Sequence, residues 1–377
     1  MVAQFNKRES SMVAIYSIAH FLVDFACAFF MFHFISGTAE GYLCVLLYNF
    51  CAFAMQMPIG IIADKLNKNA GIAIIGLLFT GLANTLVIAP VAAVTVLGLG
   101  NAMFHIGGGL DVLNISGIKL GALGVFVSPG AFGVYLGTIL GRSSGFPSKL
   151  VPLVLASAAF VILFHSKSQR DTYLKNSDFT LANIEPGDTL LAIASFFLVV
   201  CIRSFVGLAL DFPWKGNAYL GIVLICSVVF GKTLGGFISD RFGSVETAVV
   251  SLGIASLLFC FPSTVVAGVA AVLLFNMTMP ITLWALARIM PGAKGFAFGL
   301  LTFGIFIGFL PVYLGIRASA SPWLFSILSL VSLGLLWIGL RCRGIATVQF
   351  AQNNELKETV TKHEMVLKSE QKPLEKL

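Results

Sequence analysis

The chain has 377 residues, of which 58% are hydrophobic and only 11% charged, whereas charged residues make up about a quarter of an ordinary soluble domain. Its net charge of +7 comes without a basic, aromatic-studded polar stretch, and its seven cysteines form no C-x-x-C pair. A nucleic-acid partner, a zinc site and a disulfide framework are therefore not expected. Membrane-spanning helices are, since about 20 apolar residues cross a hydrocarbon layer about 30 Å thick.

The first apolar run, near residues 11–35, follows Lys7 and Arg8 as a signal peptide would, but it is longer than a signal core and no polar exit follows, so it reads as a retained helix. Within it "AHFLVDFACAFF" puts His20 and Asp24 four residues apart, on one helix face near mid-depth. A charge at that depth costs roughly 2.5–3.5 kcal/mol on insertion scales, so it asks for a partner or a purpose. The second run, 41–63, ends in the charged turn "IGIIADKLNKN". After a third run at 70–90, the fourth, 91–115, places Asn101 and His105 on one face, with Asp111 further on and expected to pair with Lys119 or another cation. The fifth, 119–141, holds "SPGAFGVYLG", where Pro removes a helical hydrogen bond and Gly permits close packing or bending. The sixth covers 148–165, and a polar stretch follows to residue 188.

Six more runs lie near 189–211, 216–239, 246–263, 264–290, 295–316 and 321–341. The seventh contains Arg203 deep within "VVCIRSFVGLAL". The eighth ends in a second charged turn, "GGFISDRFG", and Lys232 just before it is expected to snorkel inward or to meet Asp240. Asn276 and Pro280 lie in the tenth run and Pro311 in the eleventh. Asn49, Gln56, Asn84 and Asn276 could line a pathway or join helices. All the runs are continuously apolar rather than alternating, which argues for helices and against a barrel. With the amino terminus inside, thirteen Lys and Arg from Lys7 to Arg343 fall on the inner side, against Arg142, Lys149, Lys215 and Arg317 outside. Both termini and the linker are thus expected in the cytoplasm.

The two charged turns are copies. Asp64 and Asp240 lie 176 positions apart, Asn101 and Asn276 175, Gly121 and Gly295 174, and Gly141 and Gly315 also 174. Near-constant offsets indicate two homologous halves. Each half has six spans, so the two run parallel. The expected organisation is an amino-terminal six-helix bundle over residues 1–165, a cytoplasmic linker over 166–188, a second bundle over 189–341 and a mobile tail over 342–377.

The turns "GIIADKLNK" (Gly60, Asp64, Lys65) and "GGFISDRFG" (Gly236, Asp240, Arg241) resemble the signature of the major facilitator superfamily and its echo. In the first copy Lys stands after the Asp where Arg is usual, and Asn67 where Gly is common. "GLGNAMFHIGG" and "LGALGVFVSPGAFGVYLG" are loosely similar to the fosmidomycin-resistance branch of drug exporters. The fifth span is also distantly similar to the family's antiporter motif, without its Gly-Pro order. The resemblance implies the twelve-helix fold of that superfamily, with the first, fourth and seventh helices lining a central cavity.

On that reading each charged turn is a latch, its carboxylate facing the positive end of a neighbouring helix and pairing with the adjacent cation. His20 and Asp24 form a proton-coupling or cation-binding pair, since imidazole titrates near neutrality. Arg203 is either the counter-ion of Asp24 or the holder of an anionic substrate. Asn101, His105 and Asn276 complete the expected binding set. No nucleophile with a placed base and no phosphate loop is visible, so neither an enzyme nor an ATP-driven pump is expected. The expected function is secondary active transport of a small organic solute, amphipathic or weakly anionic, coupled to protons, by a monomer in the plasma or inner membrane with no cofactor. The alternative is a receptor or scaffold acting through the linker and tail.

Overall fold

The computed structural model describes residues 7–117, 119–143, 145–170, 173, 175–180, 188–315 and 322–341. The expected mobile tail, 342–377, lies outside them. Among the described residues the regular structure is helical, with no strand. Twelve apolar helical stretches follow in order: α1 (Lys7–Ile35), α2 (Gly41–Leu66), α3 (Asn69–Thr85), α4 (Pro90–Ser116), α5 (Gly121–Arg142), α6 (Leu150–Ser168), α7 (Asp188–Ala209), α8 (Ala218–Phe242), α9 (Ser244–Phe259), α10 (Val265–Ile289), α11 (Lys294–Tyr313) and α12 (Trp323–Leu340).

Ten of these are long and apolar enough to cross a membrane; α3 and α9 are shorter, and each is the third of its set of six. Both stop ahead of a proline, Pro90 or Pro262, consistent with the steric bias against helix just before that residue. The chain is a multi-pass membrane protein, and its lipid-side chemistry agrees: on α6, Phe160 and Phe164 stand largely exposed.

Packing repeats with the sequence. Helix α1 packs along α5 as α7 does along α11, α3 lies against α4 and α6 as α9 lies against α10 and α12, and α2 meets α4 as α8 meets α10. The halves touch through α2 with α11 and α8 with α5. Within the first half, the stripe Gly130, Gly133, Gly137 and Gly141 of α5 lies directly on α1 between His20 and Phe32, since small residues let helix backbones approach in lipid.

Two helices are broken. Helix α5 is interrupted at Ser128, just before Pro129, and α10 at Met277, so that Pro280 falls in the first turn of the second segment, where its missing N–H costs little. Part of the linker is held rather than free. Asn176 donates to the Ala63 carbonyl (3.1 Å) and accepts from Asn69 (2.9 Å) and Asn114 (2.8 Å), while its own N–H donates to Asn67 (2.9 Å). Thr180 N–H reaches the Gly292 carbonyl in the second half at 3.1 Å. Tyr173 lies against Tyr16 and meets His165 at 2.9 Å; burial pushes its hydroxyl well above the usual range, so it stays neutral.

Candidate functional site

Two pairs of contacts join the halves at the ends of α2 and α8. The Asp64 carboxylate accepts from the Gly295 and Phe296 N–H groups at the start of α11, at 2.8 and 3.0 Å. The Asp240 carboxylate accepts from Leu120 and Gly121 at the start of α5, at 2.6 and 2.9 Å. Each is a charge-assisted cap on the first, otherwise unpaired donors of a helix, at the positive end of its dipole. Gly60 and Gly236 make these crossings possible: a Cβ on Gly60 would overlap the Gly295 carbonyl, and one on Gly236 would stand 2.7 Å from the Leu120 carbonyl. The neighbouring cations do not pair with the carboxylates as expected. Lys65 sits over the Phe179 ring at 5.0 Å and Arg241 over Phe242 at 5.4 Å.

Midway along α1 the structure gathers a polar cluster. The Nε2 atoms of His20 and His105 stand 2.9 Å apart. Asp24 reaches His20 at 3.2 Å with one oxygen and His105 at 3.6 Å with the other. Asn101 donates its amide to Asp24 at 3.2 Å, and its own Oδ1 is buried without a hydrogen-bond partner among the described residues. Asp24 and His105 keep side-chain exposures of 16% and 12%, so the cluster is not sealed in a solid core.

The break in α5 explains how the rings are aimed. Pro129 has no N–H to offer the Val125 carbonyl one turn earlier, and around it three successive carbonyls accept from side chains. Ser17 reaches Val125 at 3.4 Å, His20 Nδ1 reaches Phe126 at 2.7 Å, and Lys232 Nζ from α8 reaches Val127 at 3.3 Å. His105 Nδ1 in turn lies 2.9 Å from the Asn101 carbonyl. A carbonyl oxygen only accepts, so both Nδ1 atoms carry hydrogen. Neutral rings of that tautomer would then point two Nε2 lone pairs at one another across 2.9 Å. The geometry holds together when one cation lies between them, with Asp24 alongside as counter-charge.

His20, Asp24 and His105 place their ligand atoms within 4.8 Å of one another, so they form a possible metal-ligand set that residue spacing alone did not reveal. Two nitrogens on one zinc ion stand about 3.3 Å apart, from bonds of about 2.0–2.1 Å and a tetrahedral angle. The observed 2.9 Å is an ordinary hydrogen-bond distance between the two rings.

Other expectations come out differently. Among the described residues no ion pair involves Asp111, which accepts from the Tyr16 hydroxyl at 2.6 Å and Asn69 at 3.0 Å, neutral donors supplied by neighbouring helices. Lys232 neither snorkels nor meets Asp240, whose oxygens are taken by the α5 cap. Arg203 forms no ion pair with Asp24; its Nη1 donates to the Thr282 hydroxyl at 3.3 Å. Asn276 stays outside the cluster, its amide turned back to the Val272 carbonyl at 2.8 Å. Asn49, Gln56 and Asn84 likewise bond to carbonyls of their own helices. Thr282 and Asn176 are polar residues that sequence reading had not singled out, and Lys232 had been given another partner. An apolar crevice of about 240 Å³ opens between α1, α5 and α6, lined by Phe21, Phe25, Leu140 and Phe146 among others; it contains none of the cluster's residues.

No protein-family model matches this chain, and no curated protein does. Solved structures do. The E. coli fucose:proton symporter FucP is 13% identical, with a TM-score of 0.64 over 87% of this chain and 97% of that one. FucP in the outward conformation, a Major Facilitator Superfamily transporter, is 15% identical with a TM-score of 0.66 over 89% and 99%. The chain has the major facilitator superfamily fold. The human organic anion transporter MFSD10 shares that fold as well, at 13% identity and a TM-score of 0.62 over 88% and 100% of the two chains. In this facilitator fold the two caps lie on one face of the molecule, where α2 and α8 end, and the cluster lies deeper, beside α5.

Proposed function

We propose that this protein is a secondary active transporter that carries a small organic solute across the plasma or inner membrane by alternating access, coupled to protons. The observation that carries the reading is the pair of imidazoles whose Nδ1 atoms are both fixed to carbonyls, so that their facing Nε2 atoms require a proton between them. With that proton the Asp24 charge is balanced; without it a carboxylate and two opposed lone pairs share a low-dielectric pocket. Loading and unloading the proton therefore changes the fit of α1 against α4 and α5, as a coupled rearrangement requires. The unpartnered Asn101 oxygen beside Asp24 supports the same reading, since an orphaned buried acceptor costs about 1–3 kcal/mol unless a bound group satisfies it. A proton symporter and an organic anion transporter among the neighbours of like fold support it further.

In this proposal all twelve helical stretches span, including the two short ones, the halves are the rocking bodies, and the face with the Asp64 and Asp240 caps is cytoplasmic, by the bias of Lys and Arg toward it. The caps hold that face closed in the state described. The receptor or scaffold alternative draws no support from the linker, whose residue Asn176 is engaged within the molecule.

A test needs no knowledge of the solute. Proteoliposomes adsorbed on a capacitive sensor and exposed to a pH jump are expected to give a saturable charge-displacement transient, reduced at least tenfold by Asp24→Asn while the variant keeps its elution profile. A silent wild type, or an unchanged variant, would remove the coupling.

A further inference from the structure

Arg203 of α7 and Lys232 of α8 are two cations in the middle of apolar helices, and neither has a carboxylate within 4.0 Å among the described residues. The ion pairs found there are His20 with Asp24, His105 with Asp24, and Lys215 with Asp211. Arg203 spends one N–H on the Thr282 hydroxyl, and Lys232 one on the Val127 carbonyl, which leaves most of their donors without an acceptor among the described residues. Both side chains are half-buried rather than extended to an end of the helix. Helices α7 and α8 both pack on the second segment of α10, which carries Thr282, and Lys232 takes the carbonyl next to the one that holds His20. Asp24 of the cluster is already engaged by His20, His105 and Asn101. The two cations are therefore left without a carboxylate counter-charge among the described residues, a costly arrangement at mid-membrane unless something else brings one.

We infer that Arg203 and Lys232 form the seat of a small organic anion, whose carboxylate or phosphate oxygens supply the negative charge that the protein lacks there, while Thr282, its own hydrogen given to the Met279 carbonyl, orients Arg203. A planar guanidinium with free N–H groups suits two oxygens of one oxyanion, and an ammonium adds a point charge beside it. Both charges come from the second half, whereas the proton cluster comes from the first, so solute and proton each engage a different bundle. The inference rests on the transport reading for the anion's route to the seat, but binding can be measured alone.

The test uses the purified full chain in lipid nanodiscs, with benzoate, phenyl phosphate and the neutral benzamide as probes at millimolar concentration. At least one of the two anions is expected to raise the melting temperature by about 2–4 °C, with benzamide inert; whichever acts tells carboxylate from phosphate. Arg203→Met and Lys232→Met are each expected to weaken that response at least tenfold, and to melt at or above wild type without ligand, because an unpaired charge has been removed. The seat is refuted if neither anion outdoes benzamide on wild type, if the variants respond as wild type does, or if they melt well below it in the absence of anion. An anion response without the pH-jump transient would keep the seat and discard proton coupling; the transient without an anion response would do the reverse.

Discussion

Replacing both cap carboxylates together, Asp64→Asn with Asp240→Asn, is expected to open the face they hold closed in most molecules. Each carboxylate accepts two backbone N–H bonds from the opposite half, and hydrogen bonds to a charged group contribute about 1.5–3 kcal/mol each. An amide keeps one accepting oxygen but loses the charge and one bond. About 2 kcal/mol per site, or about 4 for the pair, shifts a two-state population on the order of a thousandfold. Either single variant is expected to shift it by roughly thirtyfold. Spin labels at Lys68→Cys and Glu246→Cys, exposed positions on the two halves of that face, report the change as a longer interlabel distance by pulsed electron resonance. A distance distribution that stays put in the double variant would mean that the caps are only helix termini satisfying their own donors.

Gly130→Ala is expected to lower proton-dependent charge displacement at least a hundredfold. A Cβ on Gly130 would overlap His20 Nε2, one of the two nitrogens facing across the shared proton, and Asp24 Oδ2, its counter-charge. Overpacking of this kind costs about 1–3 kcal/mol in a core, less than a membrane protein of this size needs to unfold, so the variant is expected to insert and purify. What it loses is geometry: His20 cannot back away while its Nδ1 stays on the Phe126 carbonyl. The pH-jump transient measures the loss, and a wild-type transient in Gly130→Ala would show that the cluster tolerates displacement and is not the coupling site.

Much of the fold was legible because charge is scarce in this chain. Two Gly…Asp turns among apolar runs stand out, and their 176-residue offset announces the duplication that the helix packing repeats. His20 with Asp24, and Asn101 with His105, could be read as pairs because four residues make one helical turn. That the two pairs meet could not be read, since 85 positions separate His20 from His105 and only the fold brings α4 onto α1. Pro129 was legible as a bend, but not as the break beside which α5 carbonyls receive His20 and Lys232. Lys232 was misjudged because Asp240 is its acidic neighbour along the helix, whereas its actual partner is across the interface. Asp111 was assigned a cation because it is an acid; Tyr16 and Asn69 satisfy it without one. The linker was legible only as a polar stretch, and nothing local could show that Asn176 folds back onto Asn67, Asn69 and Asn114.

The most direct examination of the shared proton is nitrogen-15 solid-state NMR on histidine-labelled protein in lipid, with His20→Asn and His105→Asn variants to assign the two rings. Both Nδ1 atoms are expected to be protonated, with a coupling between the facing Nε2 atoms that carries a single hydrogen and disappears on alkaline titration. A ring bearing Nε2–H and a bare Nδ1, or two Nε2 atoms with no hydrogen between them across the whole pH range, would contradict it.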